Sequence, residues 1–203
     1  KGEYILGNAG TMASIEINGH DDTKGLCVDI SERIINEVAD YHFSQSGDLK
    51  EFLLTDQFLV NTYKARNTNL GYALHEINRQ VSGGQHSNEL LNTELFYSIA
   101  ESIVADQAII YEQYSRLQFK KTETRQSLLR QLLEAREYMD AHLSDDIHLD
   151  QIIRNAFMSK YHFIRLFKAT FILSPYQYIL RKRLESARVQ LLGGSNVTET
   201  AFD

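Results

Sequence analysis

The sequence predicts an α+β chain in two parts, a mixed strand-and-helix part over residues 1–119 and an all-helical part over residues 120–203. Three observations carry this reading. Near the N-terminus Ala13, Ile15 and Ile17 alternate with Ser14, Glu16 and Asn18, the two-residue period of a strand. From Asn67 onward the apolar period lengthens to that of a helix and stays there. The charge also changes sign, with 8 Lys and Arg against 17 Asp and Glu in residues 1–119, and 13 against 10 in residues 120–203.

Composition narrows the function classes. Among 203 residues, 43% are hydrophobic, enough for packed cores, and the net charge is −6. The positive charge is local: Arg154, Lys160, Arg165, Lys168, Arg181, Lys182, Arg183 and Arg188 stand against the single acid Glu185 over residues 154–188. A basic patch on an acidic chain favours a polyanion at one face, with self-association or regulation on the rest. With Cys27 as the only cysteine, an intrachain disulfide and a cysteine-based metal cluster are excluded. There is no apolar run of about 18 residues and no signal-like opening, so a cytoplasmic location is expected. The chain begins at Lys1 and stops at Asp203 inside what reads as a new helix, so it is expected to be a portion of a longer protein.

In chain order, Glu3–Leu6, Thr11–Asn18 and Gly25–Ile30 read as short strands separated by turns at residues 7–10 and 19–22. A helix follows, capped by Asp29 or Ser31, with Ile34, Ile35 and Val38 as its buried stripe, fading near Phe43. After a loop over residues 44–48, the segment Glu51–Tyr63 fits neither period cleanly and is assigned to strand. Leu70, Leu74, Ile77 and Val81 mark a helix that Gly83-Gly84 ends. A long helix from Asn88 to Leu117 carries Leu95, Ile99, Ile103, Ile110, Tyr114 and Leu117 on one face and Phe96, Ala100 and Val104 beside it. That stripe is wider than one neighbour requires, which suggests a dimer contact or a helix buried within its own domain. Gln118–Thr124 is the expected boundary.

The C-terminal part has sharper punctuation. Helix 125–143 turns Leu129, Leu132, Leu133, Met139 and Leu143 inward, and a short helix Leu149–Ala156 follows. After a turn at Phe157-Met158, Ser159 can cap a helix with two opposed faces. Phe163, Leu166 and Phe167 share one face, while Lys160, Tyr161, Ile164, Arg165 and Lys168 share the other. Two short helices, the second basic and amphipathic, make a helix-turn-helix pattern. Ser174-Pro175 then launches a helix that runs to Leu192 and stops at Gly193-Gly194. Asn196 and Glu199 are spaced as a capping box that opens one more.

These residues carry a family resemblance. The run Leu149, Ser159, His162-Phe163, Arg165-Leu166-Phe167-Lys168, Ser174-Pro175, Tyr178-Ile179-Leu180, Arg183-Leu184-Glu185, Ala187-Arg188 and Leu191-Leu192 resembles the DNA-binding domain of the AraC/XylS transcription regulators. The resemblance implies two helix-turn-helix units joined by a linker helix, here Ser174–Leu192. Residues 197–203 then start the second unit, whose recognition helix is expected beyond Asp203. It also implies an N-terminal regulatory and dimerisation domain with a cupin-like β part, incomplete here. Three positions depart from the pattern: Ile153 and Phe157 stand where a small residue is usual, and Ile172 stands where glycine is. A backbone needing positive φ at that point would strain a β-branched Ile172.

By the same resemblance, Tyr161, Ile164 and Arg165 face base edges, while Ser159, Lys160 and Lys168 address phosphates. The implied partners are the major groove of double-stranded DNA, a small-molecule effector, RNA polymerase and a second copy of the chain. Arg181, Lys182 and Arg183 on the linker helix either contact phosphate or simply face solvent. No catalytic residue, cofactor or metal is expected. The seven histidines show no metal-ligand spacing, and neither a phosphate-binding glycine loop nor a Gly-x-Ser-x-Gly elbow occurs. Two other readings remain open: a DNA-inactive dimerisation or protein-interaction module, and a cupin-type metal enzyme fused to a DNA-binding domain.

Overall fold

Tyr4 and Tyr63, side by side on paired strands, begin the fold. The computed structural model describes residues 2–7, 25, 27–42, 47–54, 62–82, 93–154, 158–194 and 196. Strand β1 (Glu3–Ile5) pairs antiparallel with β2 (Thr62–Lys64), setting Tyr4 opposite Tyr63. Their rings stack at 5.0 Å with an interplanar angle of 8°. Helices α1 (Glu32–His42), α2 (Gly47–Leu53), α3 (Asn69–Ser82), α4 (Thr93–Ser115), α5 (Thr122–Ala141), α6 (Leu149–Ile153), α7 (Lys160–Phe171) and α8 (Pro175–Leu192) supply most of the remaining structure, with a 3₁₀ turn at Ala65–Asn67. The described residues are thus mostly helical with one small sheet, consistent with α+β. Contacts divide the chain into two units, Lys1–Glu112 and Gln113–Asp203. The break falls inside the last turns of α4, a few residues before the expected boundary at Gln118–Thr124.

In the first unit α4 packs on two sides. Ala100 and Val104 join Val38, Ala39, Leu49 and Leu53 from α1 and α2. Ile99 and Ile103 join Leu70 and Ile77 from α3, with Tyr4, Val28 and Leu95 against them. The middle of the wide apolar stripe read from the sequence, Ile99, Ala100, Ile103 and Val104, is therefore covered within the unit. Each valine, leucine or isoleucine among them removed from water contributes about 1.5–3 kcal/mol.

The first turn of α3 shows how its exposed backbone donors are completed. The Asp106 carboxylate of α4 accepts from the Asn69 amide at 3.0 Å, the Asn69 Nδ2 at 2.9 Å and the Leu70 amide at 2.9 Å. Thr68 Oγ1 accepts from the Gly71 amide and from the Tyr4 hydroxyl, each at 3.0 Å. Three amides that a helix start leaves without partners are thereby satisfied. Gly71 is needed here for space, because a Cβ would lie 2.0 Å from the Ala65 carbonyl oxygen. Beside it Gln107 Nε2 donates to the Tyr63 hydroxyl at 2.7 Å.

Several expectations are corrected. Residues 27–30 form no strand; Val28 and Ile30 alternate because an irregular segment buries them against the helices. Glu51–Leu53 belongs to α2, not to a strand, and Gly47-Asp48, expected as loop, opens that helix. Leu49, Phe52 and Leu53 share its buried face at helical spacing. Of the assigned strand only Thr62 and Tyr63 lie in β2. The expected elements at Thr11–Asn18, Gly83-Gly84, Phe157 and residues 197–203 lie outside the described residues.

Two outcomes follow for this unit. Asp106→Ala strips a charged acceptor from the start of α3 and lowers stability by about 2–3 kcal/mol, read from the urea midpoint, with Asp106→Asn losing less. Burial raises the Tyr4 hydroxyl to about 12, opposed by its Thr68 hydrogen bond and aided by the Asp106 charge. Burial likewise pushes Tyr63 well above the usual tyrosine value. The unfolded chain gives up these protons first, near the ordinary value of 10.0. Stability is therefore complete below that pH and falls as pH climbs beyond it. Denaturant midpoints measured from pH 8 upward should show this decline, flattened in Tyr4→Phe and Tyr63→Phe.

Candidate nucleic-acid interface

Helix α7 is built by two interleaved patterns of identical spacing. Phe163, Leu166, Phe167 and Thr170, at i, i+3, i+4 and i+7, are buried. Two residues earlier in phase, Tyr161, Ile164, Arg165 and Lys168 repeat the spacing and are exposed. Tyr161 stands 78% exposed and Ile164 38%. Ser159 caps the helix, its hydroxyl accepting from the His162 amide at 3.3 Å.

The buried face carries a row of rings that Tyr178 of α8 meets. Phe167 meets Phe163 at 5.6 Å, Phe171 at 4.5 Å and Tyr178 at 5.8 Å between ring centres. Helix α5 packs on α6, α7 and α8, and α7 packs on both α6 and α8. Leu129, Leu132 and Met139 of α5 are fully buried in this unit, and Ile152 of α6 is buried as well. Four contacts made by polar side chains hold the frame. The Tyr178 hydroxyl donates to the Asp140 carboxylate at 2.8 Å and 3.0 Å to its two oxygens. Burial, and then the Asp140 bond and charge, push that hydroxyl well above its usual value. The Arg136 guanidinium lies 5.1 Å from the centre of the Phe171 ring. Arg183 donates to the carbonyl oxygens of Leu143 at 2.7 Å and Asp145 at 2.5 Å, bracing the connection between α5 and α6. Arg116 Nη1 donates to the Thr170 carbonyl at 2.9 Å, in the last turn of α7.

Helix α8 starts with a reciprocal capping box. The Gln177 amide donates to Ser174 Oγ at 3.3 Å, and the Ser174 amide to Gln177 Oε1 at 3.0 Å, with Pro175 at the first turn. Three of its cations have partners at the surface. Arg181 pairs with Glu185 at 2.9 Å, and Lys182 reaches Glu185 at 3.5 Å. Together with the Arg183 bonds, these contacts give each of the three linker cations a local partner. Several apolar residues of α8 stand in solvent, among them Leu180, Leu184, Val189 and Leu192.

The cations assigned to α7 do not stand alike. Lys160 is held by Asp150, in the first turn of α6, at 2.6 Å to Oδ1 and 2.7 Å to Oδ2. Arg165 and Lys168 make no ion pair among the described residues. The structure thus brings Tyr161, Ile164, Arg165 and Lys168 to one outward face, gives the Ser159 hydroxyl to the helix cap, and ties Lys160 to a neighbouring helix. Asp150 escaped the sequence reading; an acid one helix earlier, at the start of the shorter partner, was the available signal. Among the described residues no group of three or more His, Cys, Asp or Glu could hold a metal ion, and no helix is long and apolar enough to cross a membrane.

Comparison with known proteins adds one similarity. No protein-family model matches the chain, and no solved structure matches it. Over 55 residues, 27% of this chain, it is 38% identical to the regulatory protein PocR of Salmonella typhimurium. The chain resembles a regulatory protein there. The match covers 18% of that relative's length.

The end of α7 is strained where the sequence foretold it. Ile172 closes the helix with φ 69° and ψ −22°, its amide donating to the Lys168 carbonyl at 2.9 Å. A β-branched residue in the left-handed region costs about 1–2 kcal/mol, and the Ile172 side chain, 61% exposed, recovers little by burial. Ile172→Gly is expected to raise stability by about 1 kcal/mol, several degrees in melting temperature. Thermal unfolding checks this, with Ile172→Val as the control that gains nothing.

Proposed function

We propose that this chain is part of a DNA-binding transcription regulator, with α6 and α7 as a helix-turn-helix pair and α7 as its recognition helix. The outward face of α7 carries the reading: an arginine and a lysine without ion-pair partners among the described residues, flanking an exposed tyrosine and isoleucine. Arg165 has the planar fork that pairs with guanine O6 and N7, worth about 1–3 kcal/mol of discrimination. Ile164 suits a thymine methyl, and Tyr161 extends the same surface. Lys168 serves as a point charge for a phosphate. The basic excess of residues 154–188 and the similarity to a regulatory protein support the same reading. A homodimer, a small-molecule effector acting on the first unit, RNA polymerase as partner and AraC/XylS membership belong to the proposal. No catalytic step does.

A second reading, a protein-interaction module, draws on the apolar residues that α8 exposes, Leu184 at 63% and Leu192 at 79%. Binding titrations separate the two. With a duplex selected from a randomised pool and a scrambled control, Arg165→Ala weakens the selected duplex and relaxes preference at one base pair. Lys168→Ala weakens both duplexes alike and lowers the salt slope by about one. Equal losses for Arg165→Ala on both duplexes would remove the base-reading role. An absence of salt-dependent binding by the unaltered chain would favour the interaction module.

A further inference from the structure

We infer that Asp150 is a specificity-determining residue, an internal competitor that withholds Lys160 from DNA phosphates and so lowers sequence-independent binding. The inference rests on the DNA-binding reading above and concerns the same surface. Lys160 is the first residue of α7, and its ammonium lies within hydrogen-bond distance of both Asp150 carboxylate oxygens. The two side chains are 54% and 68% exposed, so a phosphate can reach the ammonium. Taking it, however, breaks a two-oxygen contact and leaves a bare carboxylate beside the incoming anion.

The consequences differ for the two kinds of contact. Phosphate contacts supply affinity to any sequence, whereas base-edge contacts supply discrimination. Asp150 acts on Lys160, placed here among the phosphate contacts, and touches none of Tyr161, Ile164 and Arg165 through any hydrogen bond or ion pair among the described residues. On random duplex α7 therefore offers Arg165 and Lys168 as working cations, with the charge of Lys160 cancelled in place. Base reading through Arg165 is left intact. The ratio of selected to random binding rises because its denominator falls.

The test is a salt series with a labelled scrambled duplex and the full 203-residue chain, comparing D150N, K160A and the double variant. Asp150→Asn keeps shape and removes charge. It is expected to bind the scrambled duplex several-fold more tightly at low salt and to steepen the slope of log K against log salt by about 0.9, one additional phosphate. Lys160→Ala alone leaves the scrambled-duplex slope close to that of the unaltered chain, and K160A/D150N shows no steepening. If Asp150→Asn fails to fold by circular dichroism, Asp150→Ser is used in its place. An unchanged slope in the Asp150 variant, or a slope flattened by about one in Lys160→Ala, overturns the inference while leaving the Arg165 base-reading result standing. If the unaltered chain binds no duplex, the DNA-binding reading fails and this inference with it.

Discussion

The rotation of α7 about its own axis is the constraint on which the second unit depends. Phe163, Leu166, Phe167 and Thr170 must all be buried, and only one rotation does this. Turning the helix by one residue swings its side chains by about 100° and would bring Phe163 and Phe167, both 0% exposed, toward water. Each large side chain so exposed costs about 1.5–3 kcal/mol. The outward set follows without further adjustment, because it repeats the buried spacing with a shift of two residues. Helices α5, α6 and α8, with Tyr178 of α8 as a ring partner, build the socket that enforces the choice. Core packing therefore aims the surface side chains.

Electrostatics then sorts that surface. An acidic chain of net charge −6 carries a local basic excess, but many of those cations are neutralised or engaged close to home. Glu185 takes Arg181 and Lys182, backbone carbonyls take Arg183, and Asp150 takes Lys160. Arg165 and Lys168 remain on the one face whose rotation is fixed by the core. Exposed ion pairs contribute little to stability. Their consequence here lies in where uncancelled positive charge is presented, which a formal count along the sequence does not reveal.

What could be read beforehand divides along the range of the interactions involved. Ser159, Ser174, Pro175 and Gln177 act within four residues of their own position, so the starts of α7 and α8 were legible in the sequence. The two faces of α7 were legible for the same reason. The φ of Ile172 was anticipated through the glycine expected at that position. Misreadings arose where partners are distant or a segment breaks the usual link between period and structure. Val28 and Ile30 alternate like strand residues yet pack from an irregular segment. Gly47 and Asp48 were counted with a polar loop and Glu51–Leu53 with a strand, so the helical spacing of Leu49, Phe52 and Leu53 went unread. The breadth of the α4 stripe was visible, but whether α1, α2 and α3 or another molecule would cover it depended on the tertiary fold. Lys160 was assigned from its place on α7, while its working charge is decided by Asp150 on α6. Sequence spacing named six expected DNA contacts and three linker cations, but it could not say which of these side chains already had partners.

Asp106 has a further consequence, in the order of synthesis. The amides that open α3 are completed by a carboxylate 37 residues later in the chain. A polypeptide emerges from the ribosome at about 5–20 residues per second, N-terminus first. For a period of seconds after its own residues have appeared, α3 must begin with its Asn69 and Leu70 amides satisfied only by water. Its native start becomes available when α4 arrives, so the strand pair, α3 and α4 are expected to settle together as one late step rather than in the order in which they are made.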